Sequence, residues 1–173
     1  YAKDLNFPWA ITWLPNGDLL VTERLGKIKL IRKGNIISEL QGVPEVMVSS
    51  PFDGLLDIKI DPDFKTSPYI YLSFTKGTTT ERVGVVYRAK IEGNKLVDGE
   101  EIFNTSPPAP TGGPNITRIN FLSDKSIVAA VGSSGQHAYG MVQRLDGDIG
   151  KIIRINRDGS VPTDNALAAK NQN

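Results

Sequence analysis

One short pattern occurs three times in this chain of 173 residues: an alternating strand, a turn containing Asp or Asn, and a second strand. In the clearest copy, Leu56, Ile58 and Ile60 occupy every second position before the turn Asp61-Pro62-Asp63. The three copies lie at residues 10–22, 55–74 and 116–130. A repeated unit of this kind buries its apolar face against a neighbouring copy, so the repeat limits the fold to small sheets stacked in series.

Short strands joined by tight turns predict an all-β fold, and specifically a β-propeller of four-stranded antiparallel blades. Asn16-Gly17 is the strongest hairpin signal, and the 17 glycines and 11 prolines lie between short apolar runs. We predict about three blades in one domain, with the last blade incomplete. The predicted limits are residues 7–42, 54–104 and 115–162, followed by a tail at 163–173.

Three blades are too few to close a ring, because propellers typically have about four to eight blades. An arc of three exposes apolar sheet at each end, so we expect both end faces to be covered. The two candidates are a second copy, in a two-fold homodimer, and a missing C-terminal half. The chain starts at Tyr1 without a methionine or a signal peptide, which predicts a processed or trimmed chain.

Composition argues against several classes of partner. The formal net charge is +1 with both signs dispersed, so no basic stripe points to a nucleic acid. No apolar run is long enough to cross a bilayer, which argues against a membrane partner. The chain has no cysteine, and this excludes disulfides, thiolate metal ligands and cysteine nucleophiles.

Six phrases along the chain carry a family resemblance: Phe7–Ile11, Pro15–Arg24, Gly54–Ile58, Asp61–Phe64, Gly150–Ile155 and Asp158–Asn165. In this order they resemble the N-terminal half of the glucose/sorbosone dehydrogenase family. That family consists of six-bladed propellers that use pyrroloquinoline quinone (PQQ) and includes the aldose sugar dehydrogenases. The resemblance therefore implies half of a six-bladed ring, a possible sugar ligand, and a periplasmic or secreted location.

The resemblance fails at the positions where the family does its chemistry. Phe52 stands where the family has a glutamine, Pro114 where it has its general-base histidine, and Ser133 where it has an acidic residue. Sugar oxidation needs a base for the hydroxyl proton, and imidazole suits this role because its charge changes near neutral pH. We therefore expect no catalytic residue and no cofactor in this chain, with PQQ and calcium bound only if the family activity is retained. The alternative is a fragment of an active PQQ-dependent aldose sugar dehydrogenase.

Four side chains are candidates for lining a channel or binding a ligand: Arg118, Trp9, His137 and Arg144. Arg118, on a predicted inner strand, and Arg144 carry charge that suits an anion. Trp9 and Trp13 are expected to wedge between blades, and a sugar-stacking platform is the less favoured alternative. We also expect Glu23-Arg24 to form a structural ion pair near the channel.

An insertion at residues 132–148 is the longest irregular segment within a blade, and such segments often carry function. It contains His137, the only histidine, which is either a substitute base or, as we favour, an exposed loop residue. Asp146 and Asp148 are weak calcium candidates, because a turn with exposed carboxylates explains them as well. The insertion or the channel mouth could also make the chain a ligand- or protein-binding module.

Overall fold

The chain forms three antiparallel sheets arranged in chain order, as seen in a computed structural model that describes residues 1–109, 115–133 and 140–165. Blade 1 contains β1 (Pro8–Trp13), β2 (Leu19–Glu23), β3 (Lys27–Arg32) and β4 (Asn35–Glu39). Blade 2 contains β5 (Leu55–Ile60), β6 (Tyr69–Gly77), β7 (Arg82–Glu92) and β8 (Lys95–Asn104). Blade 3 contains β9 (Ile116–Phe121), β10 (Ile127–Val131) and β11 (Ile152–Ile155). The all-β prediction is confirmed, and residues 166–173 of the tail predicted at 163–173 lie outside the described residues.

Each blade is a meander in which neighbouring strands pair in sequence order. The Asn16-Gly17 signal produces the first hairpin: Trp13 pairs with Leu19, and Gly17 has φ +87°, which favours glycine. The part of blade 3 that the structure describes has three strands, and the incompleteness of this blade stays a prediction.

Strand β6 is the centre of the core because its two faces belong to different apolar clusters. Leu72 and Phe74 pack towards blade 1, together with Leu20, Ile28 and Leu55. Tyr71, on the other face, packs in a cluster whose further buried members are Val86, Ile116, Ile119, Ile127, Ala129, Val131 and Ile155. Strand β6 is therefore buried on both faces.

Polar contacts fix the inner strands of the blades to one another. The Thr22 hydroxyl of β2 donates to the Leu56 carbonyl of β5 at 2.7 Å. In the same way Asp57 of β5 accepts a hydrogen bond from the Ile119 amide of β9 at 2.9 Å. Thr75 and Asn115 add a buried side-chain hydrogen bond of 3.0 Å between blades 2 and 3. Since an unpartnered buried polar group is costly, these contacts favour one arrangement of the blades.

The two end faces differ in how far they are covered. On blade 1, Ala2 and Leu5 of the N-terminal segment pack over a small cluster of Leu19, Val21 and Ile31. Ile11 and Trp13 remain 57% and 50% exposed. Trp13 contacts the Tyr1 ring on this end face, and its place between two blades stays a prediction.

On blade 3, Ile152 is 72% exposed and lies beside the half-buried Ala130 with which it pairs. Both end faces therefore retain exposed apolar side chains.

Within the described residues, no helix has the length and apolar character needed to cross a membrane.

Replacing Thr22 by Val should destabilise the fold by about 1–3 kcal/mol, because the Leu56 carbonyl loses a buried donor. The Ala10 amide, which donates to the Thr22 hydroxyl at 3.0 Å, also loses its acceptor. Urea unfolding measures the change in free energy. The matched control is Thr12→Val on the adjacent strand, whose side chain makes no hydrogen bond to another described residue. Equal losses in the two variants would contradict the role given to Thr22.

Candidate functional site

Two of the three positions that we predict to match the family's catalytic residues, Phe52 and Ser133, lie on one rim of the arc, which we call the upper rim. It is defined by the segment before β5, with Phe52, and the segment after β10, with Ser133. Phe52 is 60% exposed, and Ser133 is exposed as well. Pro114 lies outside the described residues. The two described side chains carry no group that could accept a proton at neutral pH.

The loop that carries Phe52 is held by a buried carboxylate. Asp53 accepts hydrogen bonds from the Ser49 hydroxyl at 2.8 Å and from Arg82 Nη1 at 2.9 Å. Arg24 donates to the backbone carbonyls of Ser50 at 2.8 Å and Asp53 at 3.2 Å. These contacts fix the position of the loop against β2 and β7.

Backbone geometry adds a further constraint at the next residue. Gly54 has φ +116°, and a β-carbon there would collide with the carbonyl of Arg24. The sequence therefore needs glycine at this position. Asp53 and Arg82 are almost fully buried, and among the described residues Asp53 Oδ1 and Arg82 Nε have no hydrogen-bond partner.

Arg118 lies on inner strand β9, as predicted, and its side chain is 66% exposed. Its Nη1 atom is 3.6 Å from Oδ1 of the buried Asp57. The two oxygens of Asp57 also accept hydrogen bonds from the amides of Ile58 and Ile119, at 3.0 and 2.9 Å. The carboxylate thus anchors one edge of the guanidinium and leaves the rest of it available to an anionic or oxygen-rich ligand.

The predicted ion pair between Glu23 and Arg24 is wrong, because the two side chains have other partners. Glu23 is buried, and its carboxylate accepts a hydrogen bond from the backbone amide of Asn6 at 2.7 Å. Its Oε2 atom lies 3.8 Å from Lys29 Nζ. Arg24 contacts the loop carbonyls described above and lies over the Phe7 ring, 5.2 Å from its centroid. Alternating strand geometry explains the difference, since adjacent residues point to opposite faces of a sheet.

The remaining sequence candidates are dispersed. Trp9 is half-buried against the core between blades 1 and 2, as expected for a structural wedge. Arg144 pairs with Asp146 on the exposed surface of the insertion, and Asp148 accepts a hydrogen bond from the Ser106 amide at 2.8 Å. His137 lies outside the described residues.

The insertion is also attached through a lysine that the sequence analysis did not single out. Lys151 Nζ donates to the carbonyls of Ile149, Val142 and Met141 at 3.1, 3.4 and 3.5 Å. A β-carbon on Gly150 would collide with Val142, so the chain packs tightly here. The only sequence signal was that Gly150-Lys151-Ile152 repeats Gly26-Lys27-Ile28.

The described residues do not by themselves fit a calcium-bound quinone. The described part of the chain contains no group of three or more His, Cys, Asp or Glu side chains placed to hold a metal ion. On the channel side, Arg118 supplies one exposed guanidinium, whereas a quinone bearing several carboxylates needs several cationic donors. No catalytic step through PQQ is therefore derived from these residues.

Comparison with solved structures identifies the fold as a β-propeller of the sugar dehydrogenase type. The apo-form of the soluble aldose sugar dehydrogenase from Escherichia coli superposes with a TM-score of 0.88 at 30% identity, over 96% of this chain and 49% of that chain. The PQQ-bound aldose sugar dehydrogenase from Streptomyces coelicolor gives 0.77 at 32% identity, over 95% and 49% of the two chains. The propeller prediction is thereby confirmed.

The sequence model of the Glucose / Sorbosone dehydrogenase family matches residues 5–173, and the chain belongs to this family. The quinoprotein glucose dehydrogenase B of Acinetobacter calcoaceticus is 30% identical over 94% of this chain and 40% of its own length. The chain thus spans a little less than half of the relatives it matches. The predicted resemblance is confirmed, and the roles of individual site residues stay predictions.

Replacing Arg144 by Met should raise the pKa of Asp146. The hydrogen bond from the Arg144 guanidinium lowers the pKa of this carboxyl to about 2. A lowered pKa means that the ion pair contributes stability above the ordinary pKa of Asp, and that this contribution is lost as the pH falls through about 2. Carboxyl NMR titration should find the pKa of Asp146 in the variant near the ordinary value for Asp.

Asp124 provides an internal control for this titration. Its pKa is also about 2, mainly because of hydrogen bonds from Ser126, with Arg154 also contributing. It should not respond to the loss of Arg144. A parallel rise of both pKa values in the Arg144→Met variant would contradict the assignment of the Asp146 shift to the local pair.

Proposed function

We propose that this chain is a half-propeller of the sugar dehydrogenase type that does not itself oxidise sugars and that acts as a scaffold with sugar-binding potential. The observation that carries the proposal is the replacement of the chemical groups on the upper rim by Phe52 and Ser133. The sequence has a proline at the third position, Pro114. Proline has no group that can act as a base, and the Ser133 hydroxyl cannot stabilise an imidazolium as a carboxylate does.

A second copy is the proposed partner that completes the ring. The chain superposes on about half of a closed relative, 49% of its length, so the space left in the ring is that of an equal half. Exposed Ile11 and Trp13 at one end and Ile152 at the other support an apolar contact between the end faces. A two-fold axis along the channel would place blade 3 of each copy against blade 1 of the other.

The second candidate is a fragment of an active PQQ-dependent aldose sugar dehydrogenase. It is favoured by one observation, the coverage of 40–49% of the matched relatives. In that case the remaining blades come from the same polypeptide and supply further cofactor-binding residues. For either candidate, the family likeness supports a periplasmic or secreted location, which fractionation of the native cells would test.

Dye reduction with PQQ, calcium and an aldose should show no turnover above a protein-free blank, because the groups for proton transfer are replaced. The aldose sugar dehydrogenase of Escherichia coli is the positive control in the same assay. Quinone-dependent turnover by the 173-residue chain would contradict the proposal.

Inactivity could come from the replaced residues or from the absence of the remaining blades. A fusion protein distinguishes these two causes. This chain joined to the C-terminal half of the Escherichia coli relative should form a complete ring and remain inactive. Phe52→Gln, Pro114→His and Ser133→Asp together should then restore dye reduction. An active fusion without these changes would favour the second candidate.

The mass in solution at low micromolar concentration should be twice the chain mass of 18.8 kDa if the second copy closes the ring. Ile152→Lys should shift the mass to that of a monomer, since it places a charge in the apolar contact. Leu145→Lys is the matched control, because Leu145 is similarly exposed, at 75%, but lies in the insertion. A folded monomer of the unsubstituted chain would disprove the homodimer.

A further inference from the structure

A second cleft lies at the junction of blades 2 and 3, on the rim opposite Phe52 and Ser133, which we call the lower rim. It is formed where β5, β9 and β11 end and has a volume of about 450 Å³. This volume falls in the range of roughly 300–1,000 Å³ typical of small-molecule sites. Its charged side chains are Asp61, Arg88, Asp124, Lys125, Arg157 and Asp158, and Asn156 adds an amide.

The floor of the cleft is held in place by a buried carboxylate. Asp61 accepts hydrogen bonds from Arg157 Nη1 and from the Asp63 amide, both at 2.8 Å, and from the Tyr71 hydroxyl at 3.2 Å. Burial and the neighbouring carboxylate raise the pKa of Tyr71 far above its usual range, so its hydroxyl remains a donor. Because these contacts already order the floor of the cleft, it loses little conformational entropy when a ligand binds.

The mouth of the cleft carries polar atoms that the protein does not use. Within the described chain, Ser67 Oγ, the Asn156 amide oxygen and Asp158 Oδ2 make no hydrogen bond to another residue. Arg88 donates through Nε to Glu100 at 2.6 Å and through Nη1 to the Arg157 carbonyl at 2.8 Å. Its Nη2 donors are left for a ligand, so the cleft offers both donors and acceptors.

The charges around the cleft cancel. Three carboxylates lie in the lining, and so do three cations, of which Arg157 pairs with Asp61 and Lys125 with Asp63. A strongly charged ligand would gain little from this balance, whereas a hydroxyl group can donate to a carboxylate and accept from a guanidinium. We propose that the lower-rim cleft binds a neutral polyhydroxylated compound of mono- or disaccharide size. The site goes beyond the proposed function, because it shares no residue with the upper rim.

Titration of the ¹⁵N-labelled chain with maltose tests the site. Amide shifts should concentrate at residues 61–69, 124–126 and 156–160. Arg88→Met should raise the Kd by about 10-fold or more, the effect expected when a charged hydrogen-bond donor is lost. Ser67→Ala, which removes a single hydroxyl, should also raise the Kd and provides a second test if Arg88→Met fails to fold.

Lys90→Met is the matched control. Lys90 lies two residues from Arg88 on β7, and both cations lie over the Tyr69 ring, at 5.5 and 5.2 Å. Lys90 does not line the cleft, so its loss should leave the Kd unchanged. No shifts at the lower rim, or equal weakening by Arg88→Met and Lys90→Met, would overturn the proposal. Shifts confined to residues 52–57 and 118 would place sugar binding on the upper rim and overturn it as well.

Discussion

The packing of sheet against sheet through strand β6 is the interaction on which the rest of the molecule depends. No blade of three or four strands buries its apolar faces alone, and β6 contributes to the clusters on both sides of blade 2. The polar links from Thr22 and Asp57 then fix how the blades sit around the channel. The stack also sets the geometry of the rims, because the Phe52 loop leads into β5 and the Asp61 turn follows it.

The upper and lower rims use this common frame in different ways. The upper rim presents Phe52, Ser133 and a partly exposed Arg118, a set poor in groups that can transfer protons. The lower rim joins blades 2 and 3 through ion pairs centred on Asp61 and Arg157, and it surrounds a cleft with unused donors and acceptors. The proposed loss of chemistry at the upper rim and the proposed recognition at the lower rim therefore involve different residues.

Local patterns predicted most of the fold because strands and hairpins depend on alternation and turn chemistry. Asn16-Gly17 and Asp61-Pro62-Asp63 each mark a real turn, and the family phrases gave the propeller. Contacts between side chains far apart in sequence were not predictable. Glu23 and Arg24 separate because they point to opposite faces, and Trp13 turns to an end face. The lower-rim cleft joins residues about a hundred positions apart, for which a single sequence carries no signal.

The buried pair of Asp53 and Arg82 ties the Phe52 loop to β7. Replacing either partner alone would leave a charge stranded in the interior, whereas an apolar pair of similar volume could take the place of both. The residues at the two positions can therefore be exchanged together, or one after the other through a single variant that is poorly tolerated. Among descendants of this sequence, the identity of residue 82 should track that of residue 53.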